Sequence, residues 1–242
     1  LDKALATAAA IRPTGVPVMM GFNRRYDESH AALHHAVRDG SVGRLQLVQM
    51  TSRGPNAVPP DDYIRASGGF YRDKGVHFFD LLRFITGDEV VEVGTMGAAL
   101  SDPPIAALGD IDTFIVNLRM KSGALVQIDN ARRANYGYDE RLEVFGTGGM
   151  VESGRTPRRM VTRSTGDGFL SDGLHANIFE RFGHTYAAAM AAFGRFVTGG
   201  GGAVPSLDDG IAAQIVAEAA VIASREARNV AISEVIGGRR EI

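Results

Sequence analysis

Asp73, His77 and Asp80 stand at i, i+4 and i+7 in "GGFYRDKGVHFFDLLRFITG", residues 68–87. In a helix those spacings put all three on one stripe. A carboxylate one turn from an imidazole makes a usable acid–base pair. Histidine titrates near neutral pH, and a neighbouring carboxylate holds its tautomer and raises its basicity. Two other readings fit the same residues. In one, Asp73 caps a helix while Asp80 fixes the tautomer of a buried His77. In the other, all three bind a divalent metal and serve a sugar isomerase or hydrolase. Three ligands on one stripe rarely converge on an ion, and no fourth ligand stands out among His30, His34, His35, His175 and His184.

Two further clusters carry polar groups. "NYGYDERLEVFG" places Tyr136, Tyr138 and Asp139 just before a strand, where they suit either a polyol or the packing of a sheet edge. "FNRRYD" places Arg24 and Arg25 after a short apolar stretch, the strand end at which α/β proteins bind ligands. They are candidate cofactor contacts, or structural ion pairs. "GTGGM" at Gly146–Met150 invites a nucleotide-loop reading but lacks the G-x-G-x-x-G spacing, and no helical pattern follows it. A tight hairpin turn is expected there. The glycines at 199–202 read as a helix terminator and linker.

The elements that must position these residues are legible in outline. "LDKALATAAAI" reads as an Ala-rich helix, followed by a turn at Pro13–Gly15 and a strand over Val16–Phe22. A helix N-capped by Asp27 follows, stopping near Gly40 and Gly43. "RLQLVQMTSR" is extended, and "GPNAVPPDDYIRASGG" is a loop marked by proline and glycine. The motif helix is expected over 74–86 with Gly87 as its C′ residue. Strands fill Val90–Glu152, with hairpins at "KSG" and "TGG". An arginine-rich loop, two long helices and a last strand, "NVAISEV", complete the chain.

Strands gathered in the middle with helices to either side predict an α+β fold, an open, largely antiparallel sheet with helices on one face. Phe114, Val116 and Leu118 alternate with Ile115, Asn117 and Arg119, so one sheet face is apolar and the other mixed. The mixed face is either solvated or buried in an oligomer.

The 242 residues suffice for one large domain or two small ones. A net charge of −2 leaves no nucleic-acid footprint. No apolar run approaches the roughly eighteen residues of a membrane span, and no leader pattern opens the chain. The absence of cysteine removes disulfides and thiolate zinc sites, and fits a cytoplasmic protein. Arginine supplies 23 of the 26 basic residues; the lysines are Lys3, Lys74 and Lys121.

Taken in order, "VPVMMGFNRRYD", "SGGFYRDKGVHFFDLLRFITGDEVVEV", "YGYDERLEVFGTGGM", "FERFGHTYAAAMAAF" and "LDDGIAAQIVAEAAVIASREARNVAI" resemble the glucose–fructose oxidoreductase / inositol dehydrogenase family, and within it the inositol 2-dehydrogenases. The resemblance implies a substrate domain over residues 25–242, preceded at 1–24 by the remnant of a Rossmann domain. It implies NAD or NADP as cofactor, bound mainly by the rest of that domain. "LDKA" looks like the helix that follows the family's Glu-Lys-Pro motif, so Lys3 does not match the catalytic lysine, and this chain alone is expected to be inactive. Asp73 and His77 match the family's catalytic aspartate and histidine. Tyr136 or Tyr138 falls where a substrate tyrosine is placed. The sequence departs from the pattern at "KGV", between Asp and His, and at Phe78. The implied reaction is oxidation of a secondary alcohol on a cyclic polyol or sugar. The family association implies a homodimer or homotetramer through the open sheet face. A non-catalytic oligomerising fragment is the rival reading.

Overall fold

The computed structural model describes residues 1–55, 59–202 and 204–237. The chain opens with α1 (Asp2–Ile11), closed by a 3-10 turn whose Gly15 takes the left-handed conformation. Residues 16–22 were expected to be a strand but form no ladder; Met20 N–H donates to the Pro205 carbonyl instead. Apolar composition alone does not make a strand, and no described segment pairs with this one. Helix α2 (Glu28–Arg38) follows, its N-cap Asp27 accepting from the Ser29 and His30 amides. Strand β1 (Leu45–Arg53) leads to a proline-rich segment, of which residues 56–58 lie outside the described residues. The segment read as loop contains a helix, α3 (Asp61–Ser67). Prolines before a helix are compatible with its first turn, where amide donors are unpaired in any case.

The motif helix is longer than expected. A π turn over Tyr71–Gly75 runs directly into α4 (Val76–Thr86). Gly87 ends α4 at φ +63°, the left-handed C′ geometry that its sequence position signals. Then come β2 (Val90–Ala98), α5 (Pro103–Ala107), β3 (Thr113–Met120), β4 (Leu125–Ala131), β5 (Asp139–Gly146) and β6 (Gly149–Ser153). The arginine-rich stretch holds an exposed hairpin of its own, β7 (Thr162–Thr165) and β8 (Gly168–Ser171). Two 20-residue helices, α6 (Ile178–Val197) and α7 (Leu207–Glu226), precede a two-residue strand β9 (Val230–Ala231) and α8 (Ile232–Ile236). The expected closing strand is thus mostly helix, because Glu234 bonds back to the Ala231 amide and nucleates a turn.

The sheet order is β6-β5-β1-β4-β3-β2-β9. Every pairing is antiparallel except β1 with β4. Alternation then sorts the side chains, because the period of two sends neighbours to opposite faces. Phe114, Val116, Leu118, Val126, Ile128, Val48, Met50, Leu142 and Val144 face a continuous core, covered by α4 and α7. Helix α7 sits close because alanines, Ala213, Ala217, Ala219, Ala220 and Ala223, line its fully buried side. Its start is held by a capping box between Ser206 and Asp209. Phe78, Phe79, Leu81 and Leu82 of α4 are fully buried, each contributing about 1.5–3 kcal/mol. The first residues belong to the same core, through Leu1, Leu5, Ala8 and Met20. The other sheet face exposes Ile115, Asn117, Arg119, Leu125, Gln127 and Phe145.

Candidate active site

The site is built over one row of the sheet. Phe114, Asn130, Ser52 and Glu140 are register partners across β3, β4, β1 and β5, and all four are buried on the helix-covered face. The π turn crosses above them, since a side chain at Gly75 would meet Phe79 and Phe114 at 3.2–3.6 Å. Gly69, at φ +94°, lets the chain enter that turn, and Asp110 accepts from the Phe70 amide at 2.9 Å to hold it. A π turn is rare and recurs at functional sites because it redirects the side chains around it.

Asp73 lies in the π turn and His77 in the first turn of α4, one turn apart and both partly exposed. The Tyr63 hydroxyl donates to Asp73 Oδ1 at 2.6 Å, and Arg132 approaches Oδ2 at 3.4 Å. The Asp73 carboxylate is therefore fixed from two sides. The His77 ring meets Phe22 edge-on at 5.9 Å, and its Nδ1 is buried without a hydrogen-bond partner. Burial, then the charges of Arg24 and Lys74, press the His77 pKa down to about 3. This reverses the expectation that Asp73 raises it: desolvation and two cations outweigh one carboxylate already engaged by Tyr63 and Arg132. His77 is held as a neutral imidazole.

Asp80 does not reach His77. Its carboxylate makes a two-pronged pair with Arg25, which also meets Asp209. Burial raises the Asp80 pKa above its usual range despite that pair. Asp80 thus neither fixes the His77 tautomer nor completes a metal triad. Among the described residues no group of three His, Asp or Glu side chains is placed to hold an ion.

Arg24 is buried beneath the site. Its Nε donates to both Glu140 oxygens at 3.2 Å and its Nη2 to the Tyr138 hydroxyl at 2.9 Å. Burial alone would lower its pKa; Glu140 and Tyr138 raise it above the ordinary value. Ser52 donates to the same Glu140, and burial pushes the Tyr138 phenol up to about 12. Arg24 and Arg25 are thus each held by internal carboxylates. Tyr138 belongs to this buried network, 2 % exposed. Asp139 and Tyr136 do not join it. Asp139 points to the opposite face, where it binds Arg141, Arg155 and the Tyr136 hydroxyl beside the Arg53–Asp129 pair. A one-residue step along β5 separates the two faces, so Tyr138 and Glu140 lie on the site's side and Asp139 on the other.

Sequence reasoning missed Lys74, Arg132, Glu140 and Asn130. Lys74 had a signal, as one of three lysines and placed between Asp73 and His77. The other three are distant in sequence and meet the motif only through strand register.

Residues 30–152 match the model of the GFO/IDH/MocA C-terminal domain. A curated relative, "Inositol 2-dehydrogenase" of Rhizobium meliloti, is 38 % identical over 96 % of this chain and 70 % of its own length. Another, "scyllo-inositol 2-dehydrogenase (NAD(+))" of Bacillus subtilis, is 29 % identical over 95 % of this chain and 66 % of its own. The chain therefore spans about two thirds of the length of these relatives. Among solved structures, a probable dehydrogenase from Thermotoga maritima superposes with a TM-score of 0.92 at 38 % identity, covering 96 % of this chain and 70 % of that one.

Proposed function

The chain belongs to the GFO/IDH/MocA family, and on that footing we propose that it carries the substrate site of a dehydrogenase acting on a secondary alcohol of a cyclic polyol or sugar, inositol-like in chemistry. The observation that carries this reading is the pairing of a neutral imidazole, His77, with a fixed carboxylate one turn away, Asp73.

Oxidising a secondary alcohol removes a proton from oxygen and a hydride from carbon. A nicotinamide, NAD or NADP, supplies the hydride acceptor when bound. The described residues of this chain do not fit the dinucleotide phosphates. The Gly146–Gly149 turn closes the β5–β6 hairpin, and packs there against Val42 and Gly43. Arg24 and Arg25 are engaged by carboxylates. The cofactor-binding role considered for those two arginines thus gives way to a structural one.

What this chain's residues do concerns the proton. Asp73, immobilised by Tyr63 and Arg132, accepts a hydrogen bond from a substrate hydroxyl and sets the ring's orientation. His77, uncharged at neutral pH, takes the hydroxyl proton as the carbonyl forms. Arg24 and Lys74 disfavour the resulting imidazolium, so the partly exposed ring releases the proton to solvent water rather than retaining it. Tyr138 stays in the Arg24 network as a wall of the site, and Tyr136 and Asp139 brace the sheet end from the far face.

The test is nicotinamide reduction by the protein as its gene encodes it, across a panel of inositols and hexoses. The expected result is reduction with at least one of them, lost in His77→Ala and Asp73→Ala. Reduction unchanged in both variants would refute the assignment.

A further inference from the structure

Lys74 lies between the two residues of the acid–base pair, and its ammonium forms no ion pair among the described residues. An ammonium has three donors. Among the described residues only one has an acceptor, the Ala131 carbonyl at 3.3 Å. The rings of Phe70 and Tyr138 also lie beside it, 5.9 and 6.0 Å from Nζ. Rings attract a cation but do not replace the hydrogen bonds that water would give it. Nearby, the His77 Nδ1, the Arg132 Nε and both amide atoms of Asn130 are also buried without partners. A site rich in unfilled donors and acceptors, around a partly exposed lysine, is suited to an oxygen-rich ligand.

We propose that Lys74 is a substrate-binding residue whose ammonium donates hydrogen bonds to an oxygen of the polyol or sugar, beside the carbon that reacts. This rests on the polyol-dehydrogenase reading above and adds a recognition element to it. It also makes binding sensitive to pH. Burial lowers the Lys74 pKa to about 7, with Arg24 from the turn before α2 and Arg132 beyond β4 pressing the same way. Glu140 on β5 and Asp73 in its own turn oppose them. His77, less than one turn further along the same helix, is neutral. A ligand oxygen that accepts from the ammonium binds the protonated form. Affinity is therefore full below the free-state pKa and falls as pH rises through about 7.

The experiment is calorimetric titration of the 242-residue chain with myo-inositol, scyllo-inositol and D-glucose, at about pH 6 and about pH 8.5. The proteins compared are wild type, Lys74→Met and Lys74→Arg, with circular dichroism confirming that each folds. Wild type is expected to bind roughly ten-fold more weakly at the higher pH, from the loss of a charge-assisted hydrogen bond. Lys74→Met is expected to be weak at both, and Lys74→Arg, which does not titrate there, to bind alike at both. Should Lys74→Met fail to fold, Lys74→Arg still decides, because a persisting pH dependence would place the titrating group elsewhere. Lys74→Met binding exactly as wild type at both values overturns the role of Lys74 and leaves the dehydrogenase reading standing. No binding by wild type of any of the three ligands overturns both.

Discussion

Replacing Glu140 with glutamine tests the network beneath the site. Glu140 and Arg24 are 2 % and 3 % exposed, so neither reaches solvent. The carboxylate accepts from Arg24 Nε through both oxygens at 3.2 Å and from Ser52 Oγ at 3.2 Å. Glutamine preserves the shape and can keep the Ser52 contact, but it leaves the Arg24 guanidinium buried without its counter-charge. Breaking a buried pair from one side costs about 3–5 kcal/mol. That is a large share of the roughly 5–15 kcal/mol that holds a domain folded. Urea unfolding followed by circular dichroism reads it as a lower midpoint at unchanged slope. The double variant Arg24→Met/Glu140→Gln removes the orphaned charge, and is expected to recover most of the loss. Glu140→Gln also withdraws one of the two carboxylates that hold the Lys74 proton, so the Lys74 pKa falls further below about 7. A loss under about 1 kcal/mol in Glu140→Gln, the scale of an exposed pair, would refute the account of Arg24 as an obligatory buried partner.

The His77 imidazole is expected to remain neutral until about pH 3, read from its ring-proton shifts by NMR; a midpoint near 6.5 would contradict its burial among cations. Because the unfolded chain protonates histidine at its ordinary pKa, this group's contribution to stability is present above about 6.5 and is lost as pH falls toward 3. Gly87→Ala is expected to cost about 1–2 kcal/mol, since φ is +63° and its new Cβ would lie 2.6 Å from Arg38 Nη1; an unchanged unfolding midpoint would exclude that. Calorimetry of NAD against residues 1–242 is expected to show no micromolar binding, for want of a glycine-rich strand-to-helix turn. The open sheet face is expected to form a dimer or tetramer burying more than about 1,000 Å² per interface, and a monomer mass in sedimentation at micromolar concentration would mean that this face is solvated.

Local pattern determined a good deal of this protein. Alternation in Phe114–Met120 and Leu125–Ala131 specified two strands and which face each residue takes, because side-chain period in a strand is fixed by the backbone. Gly87 marked a helix end through the backbone geometry it favours, and Asp27 a helix start through its capping side chain. Asp73 and His77 were legible as a pair because both lie on one continuous helical segment. Other features arise from contacts that no local pattern encodes. Residues 16–22 look like a strand, but strand formation depends on a partner, and none of the described residues supplies one. The parallel pairing of β1 with β4 sets Ser52 beside Asn130, and the antiparallel pairing of β1 with β5 sets it beside Glu140. That register carries Arg24, 116 residues away from Glu140 in sequence, to the underside of the site. There its charge, with burial and Lys74, reverses the protonation tendency that Asp73 alone would have given His77. Spacing can propose an acid–base pair, but the proton affinity of that pair depends on solvent exclusion and on charges gathered from distant strands, which only tertiary packing determines.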